Sequence, residues 1–267
     1  MTPSDLSALA ARERILSFQG GCNFRDIGGY RTDDGAQTRW GKVYRTGVLT
    51  YFTDDDHAPL LNLQVRSICD LRRAEERERE PTRWPDATTN GLFWDDGDVT
   101  PTVRGFAAER PRNAAGMFDA MIALYRALPA WMSPRIKGMY DAIAKGDVPL
   151  IVHCAAGKDR TGIAVAVLLR SLGVPEDTVI EDYLLTNAST NFEEFIRERH
   201  QAHLGVTDTH NPFLSMPEEM RRVLFSADAA FLQAAFEEIG DVDGYLGKTA
   251  GVSDATRERV RRELLEV

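Results

Sequence analysis

Cys154 and Arg160 stand five residues apart, inside the stretch Leu150–Gly162 that reads LIVHCAAGKDRTG. A thiolate is a competent nucleophile at neutral pH without a separate base, where a serine hydroxyl would need one. A guanidinium is a planar fork that grips two oxygens of a tetrahedral anion, and grips harder as charge develops on them. An apolar strand precedes the pair and an apolar helix follows it, so the residues between them form a loop. A loop of this length curls around one anion. The amides of Ala155, Ala156, Gly157, Lys158, Asp159, Arg160 and Thr161 can turn inward as a nest, and the following helix adds its positive end. These fields favour the thiolate form of Cys154. Gly157 permits the sharp turn beside the ligand. Thr161 is placed to donate to the sulfur and ease its departure, and His153 supports the loop from the strand.

Taken singly, a cysteine after an apolar strand is usually a small core residue, and an arginine at a helix start is usually solvated. The conjunction of His-Cys, five residues and Arg-Thr-Gly, with strand before and helix after, is what points to phosphoryl chemistry. A nucleotide-binding loop would need glycine, four residues, then Gly-Lys-Ser/Thr. Gly157-Lys158 continues with Asp159 and has Val152 at the first glycine position, while Gly247-Lys248-Thr249 has Val242 there. Neither fits.

The elements that must position this loop follow from pattern. Strands are expected at Trp40–Arg45, Val65–Leu71, Gly91–Trp94 and Leu150–Cys154. Thr53 caps a helix through Leu63, and Ser133–Lys145 reads as a helix stopped at Gly146. Arg160–Leu172 is apolar nearly all round, which marks a buried helix ended by Gly173 and Pro175. Another runs from Pro175 to Asn187. Asn191 with Glu194, and Ser215 with Glu218, resemble capping boxes, and Ser253 opens a last amphipathic helix carrying Val260, Leu264 and Leu265. Gly205–Pro217 is the best candidate for a mobile loop. The run Arg72–Glu80 alternates in sign and reads as a solvated helix face. No composition break divides residues 1–267, so one domain is expected: a core over about 20–190 and a helical portion over about 191–267.

Composition narrows the classes. The chain has 267 residues, with 32 basic and 41 acidic side chains giving a net charge of −9. That field disfavours non-specific binding to nucleic acid or to anionic membrane. The apolar run Ile163–Leu169 falls far short of the roughly 20 residues of a membrane span. The start, MTPSDLSALAARERI, lacks the pattern of a secretory signal. Cys22, Cys69 and Cys154 are too scattered for a disulfide framework or zinc cluster. A cytoplasmic protein with no metal and no cofactor is the expectation.

The loop HCAAGKDRTG resembles the signature of the protein-tyrosine-phosphatase superfamily, and the chain is similar to its bacterial tyrosine/serine phosphatases. Asn23-Phe24-Arg25-Asp26-Ile27-Gly28-Gly29-Tyr30, Tyr44-Arg45-Thr46-Gly47, Asp70-Leu71-Arg72 and Asp182-Tyr183-Leu184-Leu185-Thr186-Asn187 carry the likeness further. So does the ending from Phe236 through Tyr245-Leu246 to Gly251-Val252-Ser253. The segments 91–130 and 205–227 stand outside it. The resemblance implies an α/β fold, a central, mostly parallel sheet flanked by helices, with a helical C-terminal portion.

Departure of an alcohol or phenol is easier when a carboxylic acid protonates the leaving oxygen, typically by about 10²–10⁴-fold. Asp159 lies inside the loop, where its carboxyl can rise over the phosphoryl group as in similar loops of lipid-phosphatase relatives. Asp70 ends a strand beside Leu150–Cys154, at the carboxyl edge where ligands gather; its other reading is a salt bridge to Arg72. Asp159 is preferred, and the acidic cluster Asp95, Asp96 and Asp98 is a weaker third. Lys158 is either a solvent-facing lysine or, as the resemblance to lipid-directed members implies, a partner for further phosphates of an inositol headgroup. Arg45 and Arg25 contact the loop or the substrate, or brace the fold.

The expected activity is metal-independent hydrolysis of phosphomonoesters through a phosphocysteine, with phosphotyrosine protein as first-choice substrate and phosphoinositide or phosphoserine/threonine after it. A non-catalytic phospho-binding module would normally lack the cysteine or arginine. A rhodanese-like sulfur carrier is disfavoured by the Arg-Thr-Gly helix start.

Overall fold

The structure is a computed structural model that describes residues 14–94, 100–204 and 213–267. Its main sheet has the order β1-β3-β6-β4-β5, from β1 (Arg25–Asp26), β3 (Val43–Thr46), β6 (Leu150–His153), β4 (Ser67–Asp70) and β5 (Asn90–Leu92). Only β1 runs antiparallel to its neighbour; the β3–β6, β6–β4 and β4–β5 pairs are parallel. A second, two-stranded sheet pairs β2 (Gln37–Thr38) with β7 (Leu265–Glu266). The expected α/β architecture is therefore present. The strands are shorter than their apolar patterns predicted.

Central β6 is buried on both faces, which is why it reads as a continuous apolar run. Leu150, Val152 and Cys154 face one core with α4 (Ala114–Ala144), α5 (Asp159–Ser171), α6 (Glu176–Leu184) and α10 (Ala229–Ile239). Ile151 faces a smaller core with Phe24, Tyr44, Ile68 and Leu60 of α1 (Asp54–Asn62).

The helix α5 is buried without interruption from Thr161 to Leu169. Its valines and isoleucine each cost a few tenths of a kcal/mol, or about 0.7 at most, in helix propensity. Burying each side chain contributes roughly 1.5–3 kcal/mol, so tertiary packing decides the conformation.

The helix expected at Ser133–Lys145 is the last third of the much longer α4, which contains Pro129 and Pro134. Prolines inside a helix cost about 3 kcal/mol each. Met117, Met121, Leu124, Leu128, Met132, Ile136, Met139 and Ile143 form a buried stripe along it. That burial outweighs the two missing amides. α4 packs against α3 (Val103–Ala108), α9 (Glu218–Phe225), α10 and α11 (Asp254–Leu264), and so ties the C-terminal portion to the sheet.

Remaining differences are local. The helix expected over Pro175–Asn187 breaks after Leu184, and the short α7 (Thr186–Ser189) follows. Asn191 caps α8 (Phe192–Leu204) by accepting from the Glu194 amide, and Ser253 caps α11 by accepting from Thr256. The α9 helix begins after Pro217 rather than Ser215. Most of the loop expected at Gly205–Pro217 lies outside the described residues, as does the Asp95–Asp98 cluster. No helix among the described residues is long and apolar enough to cross a membrane.

Candidate active site

The parallel register aligns Asp70 of β4 with His153 of β6, and Cys154 follows one residue beyond the strand end. From there the loop carbonyls are claimed from outside. The Ala155 oxygen accepts from the Val48 amide at 3.1 Å. The Ala156 oxygen accepts from Asn23 Nδ2 at 3.3 Å, and the Gly157 oxygen from Asn23 Nδ2 and Arg45 Nη2, both at 2.9 Å. In a trans peptide the N–H points opposite to the C=O. The amides of Ala156, Gly157 and Lys158 are therefore turned inward, and none of them donates to another group of the described protein. The free first-turn amides of Asp159 and Arg160 at the start of α5 continue the ring. Such a ring of inward amides can cradle a tetrahedral anion.

Gly157 has φ of 65°, and a Cβ there would lie 2.5 Å from the Thr46 carbonyl carbon and oxygen. Only glycine fits this turn.

Behind the loop lies a buried charge network. Asp182 of α6 accepts from Arg45 Nη1 at 2.6 Å, Arg25 Nε at 3.3 Å and the Tyr30 hydroxyl at 2.9 Å. Arg25 also donates to the side-chain oxygen of Asn23, whose backbone adopts the left-handed φ of 57° that asparagine tolerates. Burial opposes ionisation of Asp182, yet Arg25 and Arg45 hold its carboxyl well below the usual range. Burial and the charge of Arg45 pull Arg25 down to about 10, still protonated at neutral pH. Both arginines thus brace the loop, one directly and one through Asn23. They are 0% exposed, so neither is free to meet substrate.

Arg160 meets Glu76 of α2 (Ala74–Arg79) through two bonds, Nη1 to Oε2 at 2.6 Å and Nη2 to Oε1 at 2.8 Å. The second Nη1 hydrogen is directed to the Leu71 carbonyl, 3.5 Å away. That leaves the side edge of the fork, Nε and the outer Nη2 hydrogen, for an anion. Burial works against the charge of Arg160, but the Glu76 carboxylate outweighs it and raises the pKa above the ordinary arginine value. Burial likewise opposes ionisation of Glu76, and Arg160 with the Arg73 amide hold it well below the usual range.

The solvated face expected at Arg72–Glu80 is thus corrected, since Arg72, Glu76 and Glu80 are all buried. Alternating charge hid a network that points inward. The signal available was the capping pattern, Arg73 followed by Glu76, whose carboxylate accepts from the Arg73 amide at 2.9 Å.

Asp70 does not fit the acid role. Its Oδ1 accepts from the Arg72 amide at 3.0 Å and Nε at 2.9 Å, and its Oδ2 from Arg72 Nη2 at 2.7 Å and Thr82 Oγ1 at 3.2 Å. Burial opposes its ionisation, but His153 and Arg72 hold the carboxyl well below the usual range. A carboxylate held ionised in this way has no proton to give. The salt bridge to Arg72 is its place. His153 is buried beside it, with Nε2 3.4 Å from Asp70 Oδ2 and Nδ1 3.3 Å from the Cys154 carbonyl oxygen.

Asp159 is the partly exposed carboxylate of the loop, its side chain 25% accessible. Its Oδ1 accepts from the Tyr125 hydroxyl at 2.8 Å. Lys158 is neither solvent-facing nor at the rim: it is 2% exposed, and its ammonium donates to the Leu224 and Ser226 carbonyls at the end of α9. That placement corrects both readings of Lys158. Thr161 is fully buried and its hydroxyl has no partner within the described protein. Cys154 is free and buried. Among the described residues no group of His, Cys, Asp or Glu is placed to hold a metal ion.

A model of the tyrosine phosphatase family matches residues 16–266. The chain is 29% identical to the triple specificity protein phosphatase PtpB of Mycobacterium tuberculosis, over 94% of this chain and 99% of that one. It is 30% identical to a Cupriavidus necator protein assigned to the tyrosine-protein phosphatases, over 86% and 82% of the two chains. A tyrosine-protein phosphatase of Nostoc commune is 26% identical over 82% and 73%.

Proposed function

This chain belongs to the tyrosine phosphatase family, and we propose that it dephosphorylates phosphotyrosine in proteins through Cys154, Arg160 and Asp159. The observation that carries the assignment is the loop in which Val48, Asn23 and Arg45 hold the carbonyls outward, leaving the amides inward. That ring and the side edge of Arg160 take the three non-bridging oxygens of the phosphoryl group.

The Cys154 thiolate attacks phosphorus in line with the ester oxygen. As the P–O bond breaks, Asp159 gives its proton to the departing oxygen, and a phosphocysteine remains. Water then attacks the same phosphorus. Asp159, now ionised, takes the proton of that water, and the S–P bond breaks to release phosphate and the thiolate. Arg160 holds the equatorial oxygens through both steps, when their charge is most developed. The Thr161 hydroxyl supplies a donor for the sulfur as it leaves.

The position of Lys158 supports phosphotyrosine over an inositol headgroup, because its ammonium is already engaged by two carbonyls. The relative named for triple specificity makes the comparison worth running in full. Phosphotyrosine peptides, phosphoserine and phosphothreonine peptides, and phosphoinositides are the panel. The proposal expects the highest kcat/KM on phosphotyrosine peptides. A higher value on a phosphoinositide would replace this reading with the lipid one.

A further inference from the structure

We propose that Tyr125 is a positioning residue for the general acid, fixing one oxygen of Asp159 so that the other faces the leaving group. The inference rests on the reading of Asp159 as the acid and goes beyond it.

Three helices converge on this carboxylate. Tyr125 stands midway along α4, fully buried, and its hydroxyl donates to Asp159 Oδ1 at 2.8 Å. The same hydroxyl lies 2.6 Å from that of Tyr183 on α6. A phenol has one hydrogen to give. Because Tyr125 spends its hydrogen on Asp159, Tyr183 must be the donor of the second bond. The order Tyr183 to Tyr125 to Asp159 is thereby fixed.

The rings that carry these hydroxyls are packed against aromatic neighbours. The Tyr125 ring lies against Phe231, with centroids 5.6 Å apart, and against Tyr183 at 6.2 Å. A phenylalanine would fill the same space, and a buried hydroxyl is tolerated only where it is bonded. Tyr183 also depends on Gly162 of α5, where a Cβ would lie 2.9 Å from the tyrosine ring. Burial and the neighbouring Asp159 carboxylate raise the Tyr125 hydroxyl well above the usual phenol range, so it stays a donor at working pH.

The consequence falls on the two carboxyl oxygens. Oδ1 receives Tyr125 and lies 3.4 Å from the Lys158 ammonium, whereas Oδ2 has no partner among the described residues. An oxygen that already faces two donors is a poor place for a proton. The acid form therefore carries its proton on Oδ2, the oxygen left open. Without the Tyr125 hydroxyl the carboxyl can rotate, and the proton is no longer held toward the ester.

The test compares Tyr125→Phe, Tyr183→Phe, Asp159→Asn and the Tyr125→Phe/Asp159→Asn double variant. An alkyl phosphate needs its leaving oxygen protonated; p-nitrophenyl phosphate does not. For Tyr125→Phe the expected loss of kcat/KM is about tenfold on the alkyl ester, part of the about 10²–10⁴-fold available from the acid. On the nitrophenyl ester the loss of kcat/KM stays under about twofold, because that leaving group departs without the acid's proton and kcat/KM does not include the later hydrolysis of the phosphocysteine. Vanadate inhibition is unchanged, Tyr183→Phe shows a smaller loss of the same kind, and Tyr125→Phe adds nothing once Asp159 is asparagine. Equal losses on both esters, or none, in Tyr125→Phe while Asp159→Asn keeps its leaving-group dependence would overturn this inference alone. Absence of that dependence in Asp159→Asn would overturn the acid reading and the inference with it.

Discussion

Arg160 and Glu76 are joined end to end, Nη1 to Oε2 and Nη2 to Oε1, across the gap between α5 and α2. Two parallel bonds fix the plane of the guanidinium as well as its position. The fork proposed to hold the phosphoryl oxygens is thus aimed before any substrate arrives, by a helix that lies outside the loop.

Glu76→Gln keeps the shape of that contact and removes its charge. With one acceptor oxygen in place of two, Arg160 can turn within its plane. A misplacement of about 1 Å can cost up to about 10²-fold, so kcat/KM should fall roughly 10- to 100-fold. Steady-state kinetics, with circular dichroism to confirm folding, checks this. Activity within about twofold of the wild type would mean that the loop alone orients Arg160.

Gly157→Ala should damage the loop more than its size suggests. The left-handed φ costs an L-residue about 1–2 kcal/mol, and the added Cβ would lie 2.5 Å from the Thr46 carbonyl. The clash is with backbone, which cannot rotate away. Vanadate affinity should drop along with turnover, because the inward amides are lost as a set. Unchanged vanadate inhibition would show that the Gly157 turn does not shape the cradle.

Acid sensitivity should trace to the buried carboxylates. Asp182 has its folded-state pKa depressed, by Arg25 and Arg45 acting against burial. Its contribution to stability is therefore fully present above the unfolded value of about 3.9. It is lost as pH falls from there toward the folded value. Asp182→Asn leaves two buried arginines without a counter-charge, a change that typically costs about 3–5 kcal/mol. The variant should be less stable at pH 7 and show a flatter decline in denaturant midpoint between about pH 5 and 2. An unchanged slope would remove Asp182 from the acid response.

Strand β6, the loop and α5 were legible in the sequence because local pattern determines them: an apolar run, a five-residue spacing, an all-apolar helix. Long-range partners were not. Glu76 lies 84 positions from Arg160, and only its capping position three residues after Arg73 distinguishes it from the exposed Glu75. Tyr125 belongs to a stretch that carried no family likeness, and its hydroxyl is meaningful only once α4 crosses beside α5. Lys158 was misread for the same reason. Its residue type suits the chemistry, but carbonyls at the end of α9 had already claimed it, whereas Asp70 holds the salt bridge to Arg72 that was its other reading.

Chelators should leave turnover intact, and vanadate should inhibit it. The inward amides and Arg160 already supply what a divalent cation supplies elsewhere, charge stabilisation on the phosphoryl oxygens. Assays with EDTA and with added magnesium, manganese or zinc check the point. Loss of activity in EDTA that a metal restores would contradict it.

The central claim is that Cys154 carries the phosphoryl group between the two steps. A rapid acid quench during turnover of a phosphotyrosine peptide, followed by proteolysis and mass spectrometry, reads it directly. The account predicts phosphate bound to the peptide containing Cys154, on sulfur, and none in Cys154→Ser, which should still bind vanadate. Phosphate on His153, or turnover by Cys154→Ser near the wild-type rate, would contradict it.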